Sequence, residues 1–219
     1  MLARSPRNLV LVVLTATAAA CSSGDEPSAD TPRVVQLGAP GESNRVLTPE
    51  EVAELDAPEY TAEDVAFVQG MIHHHQQALT MTAMVDGHSE RDDLPLMAER
   101  MTVSQRDELV QMEAWLTQRG ETIPQDHDRH GPAEMMPGML TEDELAHLEA
   151  SSGRAFDELW LQYMIRHHEG AVVMVESLLA SETGGQEPAV FQLAQHVESD
   201  QQVEISRMKQ LLADIAAGP

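Results

Sequence analysis

Two stretches of the chain carry residues suited to holding a metal ion. Met71-Ile72-x-His74-His75 recurs as Met164-Ile165-x-His167-His168, with Met81 and Met174 further along each copy. Imidazole nitrogen suits copper, zinc and iron, and thioether sulfur is soft and selects Cu(I), so the combined set favours copper in its +1 state, with zinc or iron also possible. A second group lies between the copies, where His127, His130, Met135, Met136 and Met139 sit among Pro and Gly. The chain has a single cysteine, Cys21, so thiolate clusters and disulfide frameworks are excluded from the remainder.

The residue types leave alternatives open. A buried neutral histidine needs partners at both ring nitrogens, and each one missing costs ~1–3 kcal/mol. Metal ligation satisfies one nitrogen, and a facing carboxylate satisfies the other. Gln105, Glu108, Gln201 and Glu204 are the expected outer partners. The same set could instead form a metal-free network of His, Gln and Glu that keeps helices in register. Met71, Met81, Met164 and Met174 fall at core spacing and could simply fill the core. In the Pro/Gly-rich stretch core filling explains nothing, but composition there only suggests metal binding.

An internal repeat must position these side chains. Displacing the sequence by 93 residues aligns Thr48–Met81 with Thr141–Met174, with 14 identities in 34 positions. The match resumes, three residues later in the second copy, where Gln105-x-x-Glu108-Leu109-x-x-Met112 falls on Gln201-x-x-Glu204-Ile205-x-x-Met208. Each half predicts a short helix, a long helix, a turn and a second long helix. Thr48-Pro-Glu-Glu51 and Thr141-x-x-Glu144 are capping boxes for the short helices. The first long helix is expected from about Thr61 to Asp86, with a seam through Asp64, Phe67, Met71, His74, Ala78, Met81 and Val85. Its partner is expected from about Asp92 to Arg119, with Met101, Gln105, Glu108, Met112 and Trp115 facing it. In the second half the helices are expected over Asp157–Ser181 and Pro188–Ala216. His74 and His75 flank the seam, whereas His73 points away. The prediction is an all-α four-helix bundle of two repeated hairpins, each helix ~38 Å long at 1.5 Å per residue. The repeats span 48–119 and 141–216, joined by a linker over 120–140 with no helical or strand period.

The N-terminal segment reads differently. Arg4 and Arg7 precede an apolar run from Leu9 to Ala20 that closes on Ala18-Ala19-Ala20-Cys21, the pattern of a secretory signal ending at a lipobox-like cysteine. Residues 1–21 are therefore expected to be a lipoprotein signal, with Cys21 lipidated and anchoring the chain outside the cytoplasm. Residues 22–47, rich in Ser, Pro, Gly and acids, are expected to be a flexible tether to the bundle over 48–219. A formal charge of −24 disfavours nucleic acid and anionic lipid and concentrates cations near the surface.

The twin motif D-x-x-[FW]-x-x-x-M-I-x-H-H-x-x-A-x-x-M, over Asp64–Met81 and Asp157–Met174, resembles the exported ferritin-like family known as domain of unknown function 305. The linker run Met136-Pro-Gly-Met-Leu-Thr141 and the Q-x-x-E-[LI]-x-x-M motifs resemble it too. The resemblance implies a ferritin-like bundle and, from some cyanobacterial members, periplasmic copper binding through His and Met. Two departures are His73, which extends the first pair to a triple where the second copy has Arg166, and Gln76, which stands opposite Glu169. A metal-binding lipoprotein that sequesters or hands over copper is the leading expectation. A di-iron oxidoreductase is the enzymatic alternative, but Glu144-x-x-His147 supplies its Glu-x-x-His signature only once. A metal-free structural or partner-binding lipoprotein is the third, and the sequence names no protein partner.

Overall fold

The computed structural model describes residues 34–36, 43–53, 58–124 and 136–218. Cys21, His127, His130 and Met135 lie outside them. The chain divides into two units, residues 1–55 and 56–219.

In the first unit, β1 (Val35–Gln36) and β2 (Arg45–Val46) pair antiparallel, Val35 opposite Val46. This short ladder falls where composition suggested a plain tether; β-branched Val35 and Val46 favour the extended pairing. α1 (Pro49–Ala53) follows with the expected capping box, the Thr48 and Glu51 side chains each accepting from the other's backbone N–H. Arg45 pairs with Glu51.

The second unit holds four long helices. α2 spans Ala62–Ala83 and α3 Leu94–Arg119; α4 is the short Glu142–Glu149; α5 spans Gly153–Leu179 and α6 Pro188–Ala217. Several boundaries have a local cause. Thr61 and Asp64 form a capping box on α2, and Thr141 and Glu144 form one on α4. Gly120, at φ +71°, closes α3 in the left-handed region, and Glu121 N–H returns to the Leu116 carbonyl at 3.0 Å. Glu187 caps α6, accepting from Val190 N–H at 2.8 Å ahead of Pro188 in the first turn. α5 begins four residues before the expected Asp157, which brings fully buried Phe156 into the helix. α2 pairs with α3 and α5 with α6 as hairpins, and α2 packs on α5 across the halves. No helix among the described residues is long and apolar enough to cross a membrane.

Two apolar clusters fill the bundle. One gathers Met81, Val85, Leu94, Met101, Leu148, Phe156, Trp160, Met164 and Met208. The other gathers Phe67, Met71, Met112, Trp115, Leu116, Val175, Val190 and Val197. Along every long helix the change from one cluster to the other falls at the same polar residues: His74 and His75, Gln105 and Glu108, His167 and His168, Gln201 and Glu204. The expected seams are buried throughout, and they sandwich one polar layer.

Candidate metal centre

The layer has four imidazoles at its middle. His74, His75, His167 and His168 are each no more than 1% exposed. The rings of His74 and His167, from opposite halves, lie against each other with centroids 3.8 Å apart and planes tilted by 39°. The His167 and His168 rings are 6.1 Å apart. Helical spacing explains why adjacent histidines reach different partners: each His-His pair straddles the seam, so one ring turns to the opposite half and the other to the return helix.

Of the four outer residues expected, Glu108 and Glu204 reach the rings. His75 Nε2 donates to Glu108 Oε2 at 2.5 Å, and His168 Nε2 donates to Glu204 Oε2 at 2.8 Å. The repeat therefore builds the same carboxylate–imidazole pair twice. In a neutral ring, an accepting carboxylate puts the proton on Nε2 and the lone pair on Nδ1. Both of those Nδ1 atoms are buried without a hydrogen-bond partner, and His167 has no partner at either nitrogen. Gln105 and Gln201 are buried in the layer with their Oε1 atoms also unpartnered.

His74 is tied differently: its Nε2 donates to the Pro137 carbonyl at 3.1 Å. Burial pushes the His74 imidazole down to about 3, and its neighbour His75 acts in the same direction. His167 is held well below the ordinary histidine value, first by burial and then by His74 and His168. Both rings are thus neutral in the folded protein at physiological pH, the state a metal requires of an imidazole.

The methionines divide between roles. Met71, Met81 and Met164 are fully buried in the two apolar clusters, and Met174 packs at the edge of the second. Met136 leads the returning linker, and its Sδ and the Met174 Cε each lie 3.3 Å from where a Cβ on Gly70 would stand. Gly70 is one helical turn before His74, so two thioether side chains meet beside the imidazole layer. Met139 is half-buried in the same linker segment. Among the described residues no three His, Cys, Asp or Glu side chains are arranged to hold a metal ion by themselves. The donors on offer are imidazoles carrying free lone pairs, with thioethers close by.

Sequence reasoning missed Gln77, Gly170 and the Pro137 carbonyl. Gln77 and Gly170 occupy the same position of the repeat, and their mismatch in a well-matched stretch was the available signal. The Glu144-x-x-His147 signature is not part of the layer: Glu144 pairs with Arg166 at 2.7 Å, and His147 is exposed.

An all-α bundle of two repeated hairpins, joined across a buried layer of paired imidazoles, is the class of protein that the fold and site define. The chain belongs to the family described as Domain of unknown function (DUF305), whose model matches residues 64–212. It is similar to a DUF305 fragment from Deinococcus radiodurans at 33% identity and a TM-score of 0.63, covering 72% of this chain and 99% of that one. A DUF305 protein from Streptomyces coelicolor matches at 27% identity and a TM-score of 0.61, covering 70% and 94%. CopM in its Cu(I)-bound form matches at 26% identity and a TM-score of 0.55, covering 71% and 98%, and CopM is also solved with Cu(II) and with Ag. No curated protein matches the chain.

Proposed function

We propose that the chain is an extracytoplasmic lipoprotein that binds a soft metal ion, Cu(I) first, in the polar layer and sequesters it or hands it over. One observation carries the reading: buried imidazole nitrogens stand without partners while carboxylates hold the opposite edges of two of the rings. Buried polar atoms in folded proteins are nearly always paired, so lone pairs left free in this arrangement call for a ligand. An imidazole backed by a carboxylate is the usual build of a metal-ligating histidine. His167, with His74, His75 and His168 around it, would supply nitrogen; Met136 and Met174 would add thioether sulfur, which favours Cu(I) over Mg(II) or Ca(II). Met71, Met81 and Met164 serve the core first in this reading. The similarity to CopM, solved with Cu(I), Cu(II) and Ag, supports the choice of metal. The lipobox-like Cys21 supports an anchored location.

The test is a Cu(I) competition titration of the protein and of the His167→Ala/His168→Ala variant. The expected result is loss of bound copper in the variant with its helical content retained. Full copper stoichiometry in the variant overturns the proposal. A metal-free register network is the second reading, favoured because no three His, Cys, Asp or Glu side chains among the described residues converge on one point. It predicts that the same variant loses thermal stability equally with and without copper.

A further inference from the structure

The linker rejoins the bundle as a strap across the α2–α5 face. Gln77 grips it by both ends of its amide: Nε2 donates to the Leu140 carbonyl at 2.9 Å, and Oε1 accepts from Leu140 N–H at 2.7 Å. Gly170 gives it room. A Cβ at Gly170 would stand 2.0 Å from the Pro137 carbonyl oxygen and 2.6 Å from Gly138 Cα. Gly138 in turn has φ +78°, and a Cβ on it would meet the Arg166 carbonyl at 2.5 Å and that of His167 at 2.9 Å. The strap thus lies against bare helix backbone, and from there the Pro137 carbonyl reaches His74 Nε2.

Gln77 and Gly170 are repeat equivalents, 93 residues apart. Two hairpins can be related by a two-fold, but one linker cannot lie on both sides of it. The first copy supplies the grip and the second the vacancy. His74 therefore has its Nε2 proton committed to a backbone carbonyl, while its equivalent, His167, has both nitrogens uncommitted.

We propose that Gln77 and Gly170 are positioning residues for the metal centre. By seating the strap they hold the His74 ring as its Nε2-protonated tautomer. That tautomer presents the His74 Nδ1 lone pair in a fixed direction, whereas neither nitrogen of His167 is fixed, so His74 is the member of the stacked pair that takes a soft monovalent ion first and the duplicated site is loaded asymmetrically. The loading half of this rests on the metal-binding reading above; the seating half does not.

The test uses the whole chain with ¹⁵N-labelled histidine and reads the ring nitrogens by long-range proton–nitrogen correlation. Without metal, His74 should show a single Nε2-protonated tautomer. Gln77→Leu and Gly170→Ala should each convert it to a mixture of tautomers, while His168, held by Glu204, keeps its own. Gln77→Leu adds no atom against the strap and serves if Gly170→Ala fails to fold. In the wild type, substoichiometric Ag(I) should shift the His74 nitrogens before those of His167. Affinity for Ag(I) should weaken by about tenfold or more in either variant, the scale of losing a partner that orients a ligand. The loss should not add to that of His74→Ala, because both changes act through the same ring. An unchanged His74 tautomer in both variants overturns the seating. Equal shifts of His74 and His167 overturn the asymmetric loading. Ag(I) that moves no ring nitrogen overturns the metal-binding reading and the loading with it, and the tautomer spectra still decide the seating.

Discussion

Replacing Glu108 with leucine isolates what the carboxylate does for His75. The two groups meet at 2.5 Å with side chains 7% and 0% exposed, so water has little access to replace the lost acceptor. His75 Nδ1 already lacks a partner, so the variant leaves the whole ring unpaired in the core. A buried donor stranded in this way costs about 1–3 kcal/mol. In a domain of this size that corresponds to a fall of roughly 2–12 °C in Tm, measurable by thermal circular dichroism on metal-free protein. Glu108→Gln keeps an acceptor oxygen with the same reach and should recover most of that loss. With Cu(I) present the two measurements separate. An amide orients the ring but does not raise its basicity as a carboxylate does, so Glu108→Gln should still bind Cu(I) about 10–100-fold more weakly. A leucine variant that melts with the wild type would refute the argument that this hydrogen bond is buried and irreplaceable. A glutamine variant with wild-type copper affinity would refute the role of Glu108 in tuning a ligand.

Acid should destabilise the metal-free bundle through His74 and His167. Both fold as neutral rings with depressed pKa values, His74 to about 3, so below the unfolded value of 6.5 the unfolded chain binds protons that the folded one does not. Stability is full above about pH 6.5 and is lost as pH falls towards 3, at up to ~1.4 kcal/mol per pH unit for each ring. Denaturant titrations between pH 7.5 and 5 check this, and a flat profile would count against burial of the pair. Asp64→Ala should cost about 1–3 kcal/mol, because the carboxylate accepts from both Thr61 N–H at 2.9 Å and Gly185 N–H at 2.6 Å. Chemical denaturation measures it, and an effect within error would show that water replaces both bonds. Cys21→Ala should release the protein from the membrane fraction or stall its processing. Unchanged fractionation and processing would reject the lipid anchor.

The bundle was legible because its seams are long and strictly spaced. Asp64, Phe67, Met71, His74, Ala78, Met81 and Val85 all proved buried, and the Thr61, Thr141 and Gly120 boundaries follow from local hydrogen bonding that sequence encodes directly. Counting residues back from each turn puts the histidines level with about Gln105 and Gln201, one helical turn from Glu108 and Glu204, since a hairpin of two helices sets its own register. The contact between His74 and His167 was not legible in that way. It depends on how α2 crosses α5, and no local spacing specifies the meeting of elements 93 residues apart. The strap was hidden for a related reason: Pro137 acts through a backbone carbonyl, which every residue possesses, and Gly170 acts through the atoms it lacks. The Val35–Val46 ladder was missed because two-residue strands leave too little alternation to stand out from a polar tether.

Because the stacked rings come one from each hairpin, neither half of this chain owns the centre. A molecule cut between Pro124 and Met136 would become two fragments, each carrying one imidazole of the pair and one carboxylate-backed neighbour. Reunion would then depend on concentration, and an ion bridging the halves would act as a cross-link whose strength adds to that of the apolar contacts. The gene duplication implied by the repeat thus left a dimer written as one polypeptide. Its covalent connection keeps the two hairpins together at any dilution, and the end of that connection, Pro137 to Leu140, lies against a helix of each.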